Sequence, residues 1–240
     1  SRYAQLDKRV RRFTFTENKG IAGNSNQILE KAKGEFIALL DHDDTLAPNA
    51  LYENVKLLNE KPYDFIYSDK DKIDEKGNRF DPLFKATLSP EMLLNINYLT
   101  HLNVMRTSIV KSIGGWDPDT DGAQDWDLFL RVIEASKYVG FIPKVLYHWR
   151  VIATSTAMSI ETKPYALAGQ RKAIDKYLKN EHIPAVSYHE RTELFLKWDP
   201  KALDMEPLVF VRFSNMPNTL RTIRHIRKAR RLPEFVVLVE

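Results

Sequence analysis

The chain has 240 residues, of which 43% are apolar, and this length suits one large folded domain or one and a half smaller ones. It contains no cysteine, which excludes disulfides, a thiolate zinc site and a cysteine nucleophile. The formal charge of +4 is mild, and no apolar stretch approaches the roughly 20 residues that a membrane-spanning helix needs.

The first part of the chain alternates predicted strands and helices that are joined by short links. Strand, helix and strand in this order are typical of the βαβ units of a parallel α/β sheet. The apolar run 36–40 predicts a buried, parallel strand, because it is apolar throughout rather than alternating. The predicted elements are a strand over 10–16, a helix over 24–32, the strand over 36–40, a helix over 48–60 and a strand over 64–67.

The second part continues the same alternation. Its predicted elements are a helix over 90–97, a strand over 102–105, helices over 107–113 and 125–135, a strand over 145–150, a helix over 164–180, a strand over 207–214, an arginine-rich helix over 217–229 and a strand over 235–239. In the arginine-rich helix, Arg221, Arg224 and Lys228 fall on one face, which is either a solvated face or a contact with an anionic membrane surface. Nucleic acid is disfavoured as a partner because aromatic residues are not interleaved with this charge.

Three carboxylates follow the 36–40 strand directly, at Asp41, Asp43 and Asp44. Ligands of open α/β sheets bind at the carboxyl ends of the strands, and clustered carboxylates repel one another unless a hard divalent cation or protons relieve them. Asp44 is alternatively the cap of the helix over 48–60. One cap needs one acid, so Asp41 and Asp43 predict a metal site.

Five motifs in this order resemble the family two nucleotide-sugar glycosyltransferases with the GT-A fold. They are ENKGIAGNSN at 17–26, KGEFIALLDHDD at 33–44, IGGWD at 113–117, DGAQDWDL at 121–128 and LYHWR at 146–150. The resemblance covers about residues 1–180. It implies the α/β class, with a GT-A-like, mostly parallel twisted sheet flanked by helices and incomplete or permuted in its N-terminal half.

The resemblance also implies roles for named residues. Asp43 and His148 would hold Mn²⁺ or Mg²⁺ on the diphosphate of the donor, and Asp125 would be the general base. The residues implied to contact the nucleotide-sugar are Asn18, Asn24, Asn26, Asp41, Asp69 and Arg150. A divalent cation suits this reaction, since a hard cation neutralises the negative charge that develops on a departing nucleoside diphosphate.

Each of these residues also has a structural interpretation. His148 would be a structural histidine, Arg150 a surface salt bridge, and Asp125 a helix cap. The three asparagines would satisfy turn backbone, with Asn24 capping its helix, and Asp69 and Asp71 would be solvated loop acids. Trp116, Trp126 and Trp149 would stack on a sugar or pack in the core. Gln124 replaces the glutamate that usually precedes the base, which leaves that position uncharged.

The family normally opens with a strand, a helix and a second strand, about 50 to 60 residues that would precede Ser1. We therefore expect residues 1–200 to be a transferase domain without this opening. Residues 201–240 resemble the missing part. They are either the start of a second transferase domain or a permuted or swapped completion of the first.

The predicted function is transfer of a sugar, with inversion, from a nucleotide-sugar to a glycan or lipid-linked glycan acceptor in bacterial polysaccharide or O-antigen assembly. The resemblance implies a cytoplasmic setting, with peripheral contact at the inner face of the membrane as an option. UDP is the commonest donor nucleotide of the family, and dTDP-rhamnose is an alternative. Two rivals remain open: a metal-dependent nucleotidyl or phosphoryl transferase, and a non-catalytic nucleotide-sugar-binding remnant.

Overall fold

A computed structural model describes residues 2–151, 164–199, 209–212, 221 and 236–239 of the chain. It divides into two compact units, 1–197 and 198–240, which are described separately. Among the described residues, no helix is both long enough and apolar enough to span a membrane.

The first unit alternates helices and strands as the sequence predicts. Its elements are α1 (Arg2–Leu6), α2 (Gly20–Lys31), β1 (Phe36–Ala38), β2 (Thr45–Leu46), α3 (Ala50–Glu60), β3 (Phe65–Ile73), β4 (Arg79–Leu83), α4 (Pro90–Leu93), β5 (Asn103–Arg106), α5 (Thr107–Ser112), a short 3₁₀ turn (Pro118–Thr120), α6 (Gln124–Ala135), β6 (Val139–Arg150), α7 (Pro164–Asn180), β7 (Ala185–Glu190) and β8 (Glu193–Trp198).

The central sheet has six strands, in the order β1-β5-β3-β6-β2, with β4 beside β3. This confirms the α/β class with helices flanking the sheet, but the prediction of a mostly parallel sheet is wrong. Within this sheet the described pairs are antiparallel except for β3 with β6. The reason is that β5 lies between β1 and β3 and runs opposite to both, and that a tight turn at Gly77 (φ +88°) folds β4 back on β3.

Two predicted strands differ from the structure. Residues 11–15 have no regular secondary structure, and no strand among the described residues pairs with them. The strand predicted over 36–40 is shortened to β1, is only half-buried, and pairs antiparallel with β5. The hairpin of β7 and β8 was not predicted from the sequence.

Helix α2 begins at Gly20, four residues before the predicted start. The backbone N–H of Ala22, in its first turn, donates a hydrogen bond of 3.0 Å to the carboxylate of Asp121. A residue 99 positions away thus satisfies an N–H group that a local cap would otherwise serve. Asn24 consequently lies inside the helix and does not cap it.

Strand β3 is buried on both faces and divides the core into two clusters. Phe65 and Tyr67 face a large cluster that includes Phe129 of α6 and Ile174 of α7. Ile66 faces a smaller cluster with Leu146 and Tyr147 of β6. Each fully buried large apolar side chain stabilises the fold by about 1.5–3 kcal/mol, so this two-sided burial holds β3 and β6 rigidly in place.

In the second unit, β9 (Val209–Arg212) and β10 (Val236–Val239) pair in parallel, with Val236 opposite Val209. The helix predicted between them lies outside the described residues, apart from Arg221. Whether this segment opens a second transferase domain or completes the first stays a prediction.

Candidate active site

The acidic turn after β1 rests on Tyr147 of β6. The Tyr147 hydroxyl accepts a hydrogen bond from the backbone N–H of Asp41 (3.2 Å) and donates one to the carboxylate of Asp44 (2.5 Å). Tyr147 is itself fully buried in the core. The turn that carries the three carboxylates is therefore fixed to the central sheet.

Arg150, at the end of β6, braces the same turn. Its backbone N–H donates to the Asp44 carboxylate (2.7 Å), and its Nε donates to the backbone carbonyl of Asp43 (2.6 Å). Its Nη1 donates to the carbonyl of Asp74 (3.2 Å). The surface salt-bridge alternative for Arg150 is therefore not what the structure shows, and its contact with a diphosphate stays a prediction.

Asp44 does not cap the following helix, as one interpretation of the sequence had it. Helix α3 begins at Ala50, with Asn49 before it, and both carboxylate oxygens of Asp44 are bonded to β6. The local sequence placed Asp44 near a helix start, but its partners in the folded chain are distant in sequence.

Asp41, Asp44 and His101 offer three ligand atoms that all lie within 4.8 Å of one another. His101 Nε2 is 3.4 Å from the carboxylate of Asp41. Burial, reinforced by the ammonium groups of Lys70 and Lys85, lowers the pKa of His101 to about 3, so the imidazole is neutral, the form that binds metals. These three residues form a candidate metal-binding group.

The Asp41 carboxyl has a raised pKa, first because of partial desolvation and then because of the negative charges of Asp44 and Asp43. Such repulsion is what a bound divalent cation relieves. Two carboxylates and one neutral imidazole are suitable ligands for Mn²⁺, and the oxygen atoms also suit Mg²⁺. The residues present therefore fit a divalent cation.

Asp43 and His148, the ligands implied by the resemblance, are not members of this group of three. Asp43 is on the same turn, with its carboxylate 3.9 Å from His42. His148 is buried in β6, and its Nδ1 lies 2.5 Å from Asp71, which also accepts a bond from Arg79. Their assignment as metal ligands stays a prediction.

Asp69 and Asp71 are not solvated loop acids, since both lie in β3 and are buried. The Asp69 carboxylate accepts a hydrogen bond from the backbone N–H of Lys85 (2.7 Å), and Lys85 Nζ donates to the carbonyls of Leu99 and His101 (2.8 Å each). This chain of bonds holds the segment that carries His101. A contact of Asp69 with the nucleotide-sugar stays a prediction.

Asp125 lies in the first turn of α6 and lines the same cavity as Asp41 and His101, a space of about 270 Å³. Burial raises its pKa to about 6; the charge of Asp41 adds to this, and a hydrogen bond with the Trp116 side chain opposes it. Asp125 does not cap its helix, because Ala123 occupies the cap position. The structure thus brings the predicted base and the acidic turn together around one cavity.

Trp116, which borders this cavity, is held by two elements. The side chain of Asn26 in α2 accepts a hydrogen bond from the backbone N–H of Trp116 (2.8 Å) and donates one to the backbone carbonyl of Trp116 (2.7 Å). Arg131 of α6 donates to the carbonyl of Gly115 (2.8 Å) and pairs with the buried carboxylate of Asp127. Asn26 therefore positions Trp116, and a contact of Asn26 with the nucleotide-sugar stays a prediction.

Asn18 and Asn24 lie in a different groove, lined by Phe13 and Phe15 among others and about 460 Å³ in volume. The Asn24 amide donates to Asn18 Oδ1 (2.9 Å), which also accepts the backbone N–H of Gly20 (3.1 Å). The structure does not bring these two asparagines into the cavity of Asp41 and Asp125. Their role in nucleotide binding stays a prediction.

His101 and Asp44 are the candidate metal ligands that sequence reasoning did not identify. Asp44 was visible in the acidic cluster, but the helix that follows suggested a cap. His101 precedes β5 in a segment without a recognisable spacing, so no local signal links it to the aspartates 60 residues earlier.

Comparison with known proteins agrees with this fold. The sequence profile of the family described as "Glycosyl transferase family 2" matches residues 1–113, which include the acidic turn. The chain is 41% identical over 190 residues to uncharacterized protein y4gI of Sinorhizobium fredii, covering 77% of this chain and 21% of that protein. It is 29% identical over 243 residues to the O-antigen biosynthesis protein RfbC of Myxococcus xanthus, covering 98% of this chain and 19% of RfbC. The chain thus spans about a fifth of the length of these curated relatives.

Among solved structures, the chain is similar to S. aureus TarS 1–349 in complex with UDP-GlcNAc. The TM-score is 0.50 at 15% sequence identity, with 69% of this chain and 54% of that chain covered. At this identity the likeness concerns the fold, which is that of the GT-A glycosyltransferases. The family profile assigns residues 1–113 to glycosyl transferase family 2, and the fold agrees with this assignment.

Proposed function

We propose that the chain is the transferase domain of an inverting glycosyltransferase, which moves a sugar from a nucleoside-diphosphate sugar to a carbohydrate acceptor in cell-surface polysaccharide assembly. The observation that carries the proposal is that Asp125 borders the same cavity as Asp41 and His101, two of the three residues that could hold a cation. This arrangement supports a base and an anion-neutralising site acting on one bound sugar.

Asp125 is the general base of this proposal. An acceptor hydroxyl attacks the anomeric carbon, the bond from that carbon to the diphosphate oxygen breaks, and the nucleoside diphosphate leaves with the electron pair. The hydroxyl proton passes to the Asp125 carboxylate. With its pKa raised to about 6, Asp125 is ionised at neutral pH but binds a proton more strongly than an ordinary aspartate does. Because the displacement is direct, the configuration at the anomeric carbon inverts.

A divalent cation, Mn²⁺ or Mg²⁺, would be held by Asp41, Asp44 and His101. Asp43, on the same turn, and His148, in β6, are the additional ligands that the family resemblance implies. When bound, the ion would supply neutralisation of the charge that develops on the leaving diphosphate. Tyr147 and Arg150 keep the turn in place for this purpose, through their bonds to Asp41, Asp43 and Asp44.

The comparisons support a nucleotide-sugar as the donor and polysaccharide assembly as the process. The TarS structure was solved in complex with UDP-GlcNAc, and RfbC is named for O-antigen biosynthesis. We propose a UDP-sugar as the donor, with dTDP-rhamnose as the alternative, and a glycan or lipid-linked glycan as the acceptor. We further propose that the domain works in the cytoplasm, in peripheral contact with the inner face of the membrane through the arginine-rich segment 217–229.

The test is a thermal-shift panel of UDP, GDP, CDP and dTDP with Mn²⁺, on the full chain. One nucleotide at about 100 times its Kd is expected to stabilise the chain by about 2.7 kcal/mol. The variants Asp44→Asn and His101→Ala are expected to lose this shift. Asp119→Asn, which removes an exposed carboxylate on the 3₁₀ turn, is the control and is expected to retain it. If no nucleotide shifts the melting temperature, or if the shift survives in both site variants, the metal site assigned here is wrong.

Product analysis separates the proposal from its rivals. Release of a nucleoside diphosphate together with transfer of the sugar supports the transferase. Release of pyrophosphate would instead indicate a nucleotidyl transferase. Binding of the nucleotide without any turnover of sugar donors would indicate a non-catalytic domain.

A further inference from the structure

Asp125 also borders a second and larger cavity, of about 590 Å³, which no step described so far uses. It lies between the segment that follows α4 and the strand β8. We infer that this cavity is the acceptor subsite and that it selects an uncharged, hydroxyl-rich sugar over an acidic one. The inference rests on the proposed function, since it takes Asp125 to be the base. The polar and aromatic residues that carry it are Asn95, Asn97, Gln124, Gln170, Glu193 and Phe195.

Two amide groups supply hydrogen-bond donors to this cavity. Gln124 Oε1 accepts the backbone N–H of Gly122 (2.7 Å), and Gln170 Oε1 lies 3.1 Å from Nε2 of His189. Each carbonyl oxygen is thus occupied, whereas neither Nε2 group has a hydrogen bond within the part of the chain that the structure describes. The uncharged Gln124, in place of the family's glutamate, therefore adds a donor beside the base.

A hydrogen-bond acceptor lines the same space. Asn95 donates through Nδ2 to the carbonyl of Glu91 (2.9 Å), which leaves its Oδ1 for a ligand. Asn97 also lines the cavity, but its Oδ1 is enclosed by the protein and has no hydrogen-bond partner among the described residues. Sugar hydroxyls both donate and accept hydrogen bonds, so a cavity that offers donors and an acceptor suits them.

The cavity also has an apolar wall. Phe195 of β8, which pairs with Tyr188 at 5.8 Å, lines it together with Ile96, whose side chain is exposed. An aromatic face beside amide groups is suited to the C–H face of a pyranose ring. Trp126, considered above for sugar stacking, packs mainly in the core and donates through Nε1 to the carbonyl of Leu93.

Charge selects between acceptors. The lining contains the two carboxylates of Asp125 and Glu193, and none of its described residues is a lysine, arginine or histidine. Glu193 has no ion pair within the described ranges. A uronic acid or phosphate in the cavity would be repelled by both carboxylates and would find no cation to compensate. The uncharged sugar has no such cost.

The experiment is saturation-transfer difference NMR on the full chain at pH 7.5, with matched methyl glycosides. The uncharged probes are methyl β-D-glucopyranoside and methyl β-D-galactopyranoside, and the acidic probes are the corresponding glucuronide and galacturonide. We expect binding of at least one uncharged probe and binding of its acidic counterpart that is at least about fivefold weaker, the ratio that about 1 kcal/mol produces. Glu193→Gln is expected to reduce the difference in binding between the uncharged and the acidic probe. Gln170→Ala is expected to weaken binding of the uncharged probe by about fivefold.

Glu190→Gln is the control, because it removes the same charge from an exposed residue of β7 in the same hairpin, outside the cavity lining. It is expected to bind as the unsubstituted chain does. The inference would be overturned if the acidic probes bound as tightly as the uncharged ones or more tightly, or if neither uncharged probe bound. It would also be overturned if Glu193→Gln and Gln170→Ala left the binding of the probes unchanged. The nucleotide thermal shift, measured on the same samples, tells a failure of the proposed function from a failure of this inference. Loss of the shift contradicts the proposed function. If the shift is retained, only the assignment of the acceptor cavity is wrong.

Discussion

Replacing Asp125 with asparagine is expected to stabilise the chain at neutral pH while it abolishes sugar transfer. The pKa of Asp125 is raised from 3.8 to about 6, chiefly by burial. The folded state therefore binds this proton more tightly than the unfolded state does, and stability falls as the pH rises from about 4 through 6. A shift of about 2 units corresponds to about 3 kcal/mol at 1.36 kcal/mol per unit, which is the cost of ionising Asp125 in the fold.

Asparagine imitates the protonated form, because it is uncharged and its oxygen still accepts the Trp116 hydrogen bond. We expect the variant to be more stable by up to about 3 kcal/mol at pH 8 and by less than about 1 kcal/mol at pH 4. Urea unfolding followed by circular dichroism at both pH values measures the difference. Asp119→Asn, at an exposed carboxylate, serves as the control and should show no such pH dependence. A variant that is no more stable at pH 8, or whose advantage does not change with pH, would refute the argument from burial.

Three further outcomes are expected. Because Asp125 must be ionised to accept a proton, kcat/KM should fall about tenfold per pH unit below about pH 6 and level off above it, and a flat profile down to pH 5 would contradict its role as base. Arg131→Ala should cost about 3–5 kcal/mol in urea unfolding, because it leaves the buried carboxylate of Asp127 unpaired, and a loss below about 0.5 kcal/mol would show that the pair is not structural. Gly122→Ala should destabilise by more than Gly77→Ala. Both glycines have a positive φ, but a Cβ at 122 would lie 2.8 Å from the backbone of α7, whereas a Cβ at 77 meets nothing within 4 Å. Equal melting temperatures of the two variants would contradict this steric argument.

The sequence by itself determined the features that depend on neighbouring residues. Apolar periodicity located α3, α6 and α7 close to their observed ranges. It also placed the acidic turn directly after a strand and Asp125 at the start of a helix. Helix periodicity, glycine turns and runs of like charge act over a few residues, so a single sequence suffices to see them.

The tertiary structure alone decided which distant groups meet. Asp44 binds Tyr147, which lies 103 residues further along the chain, and not the helix beside it. His101 joins Asp41 across 60 residues, and β5 enters between β1 and β3 and makes the sheet mixed. Such contacts depend on strand order and on which buried polar groups remain to be paired, and both are set by the packing of the whole domain.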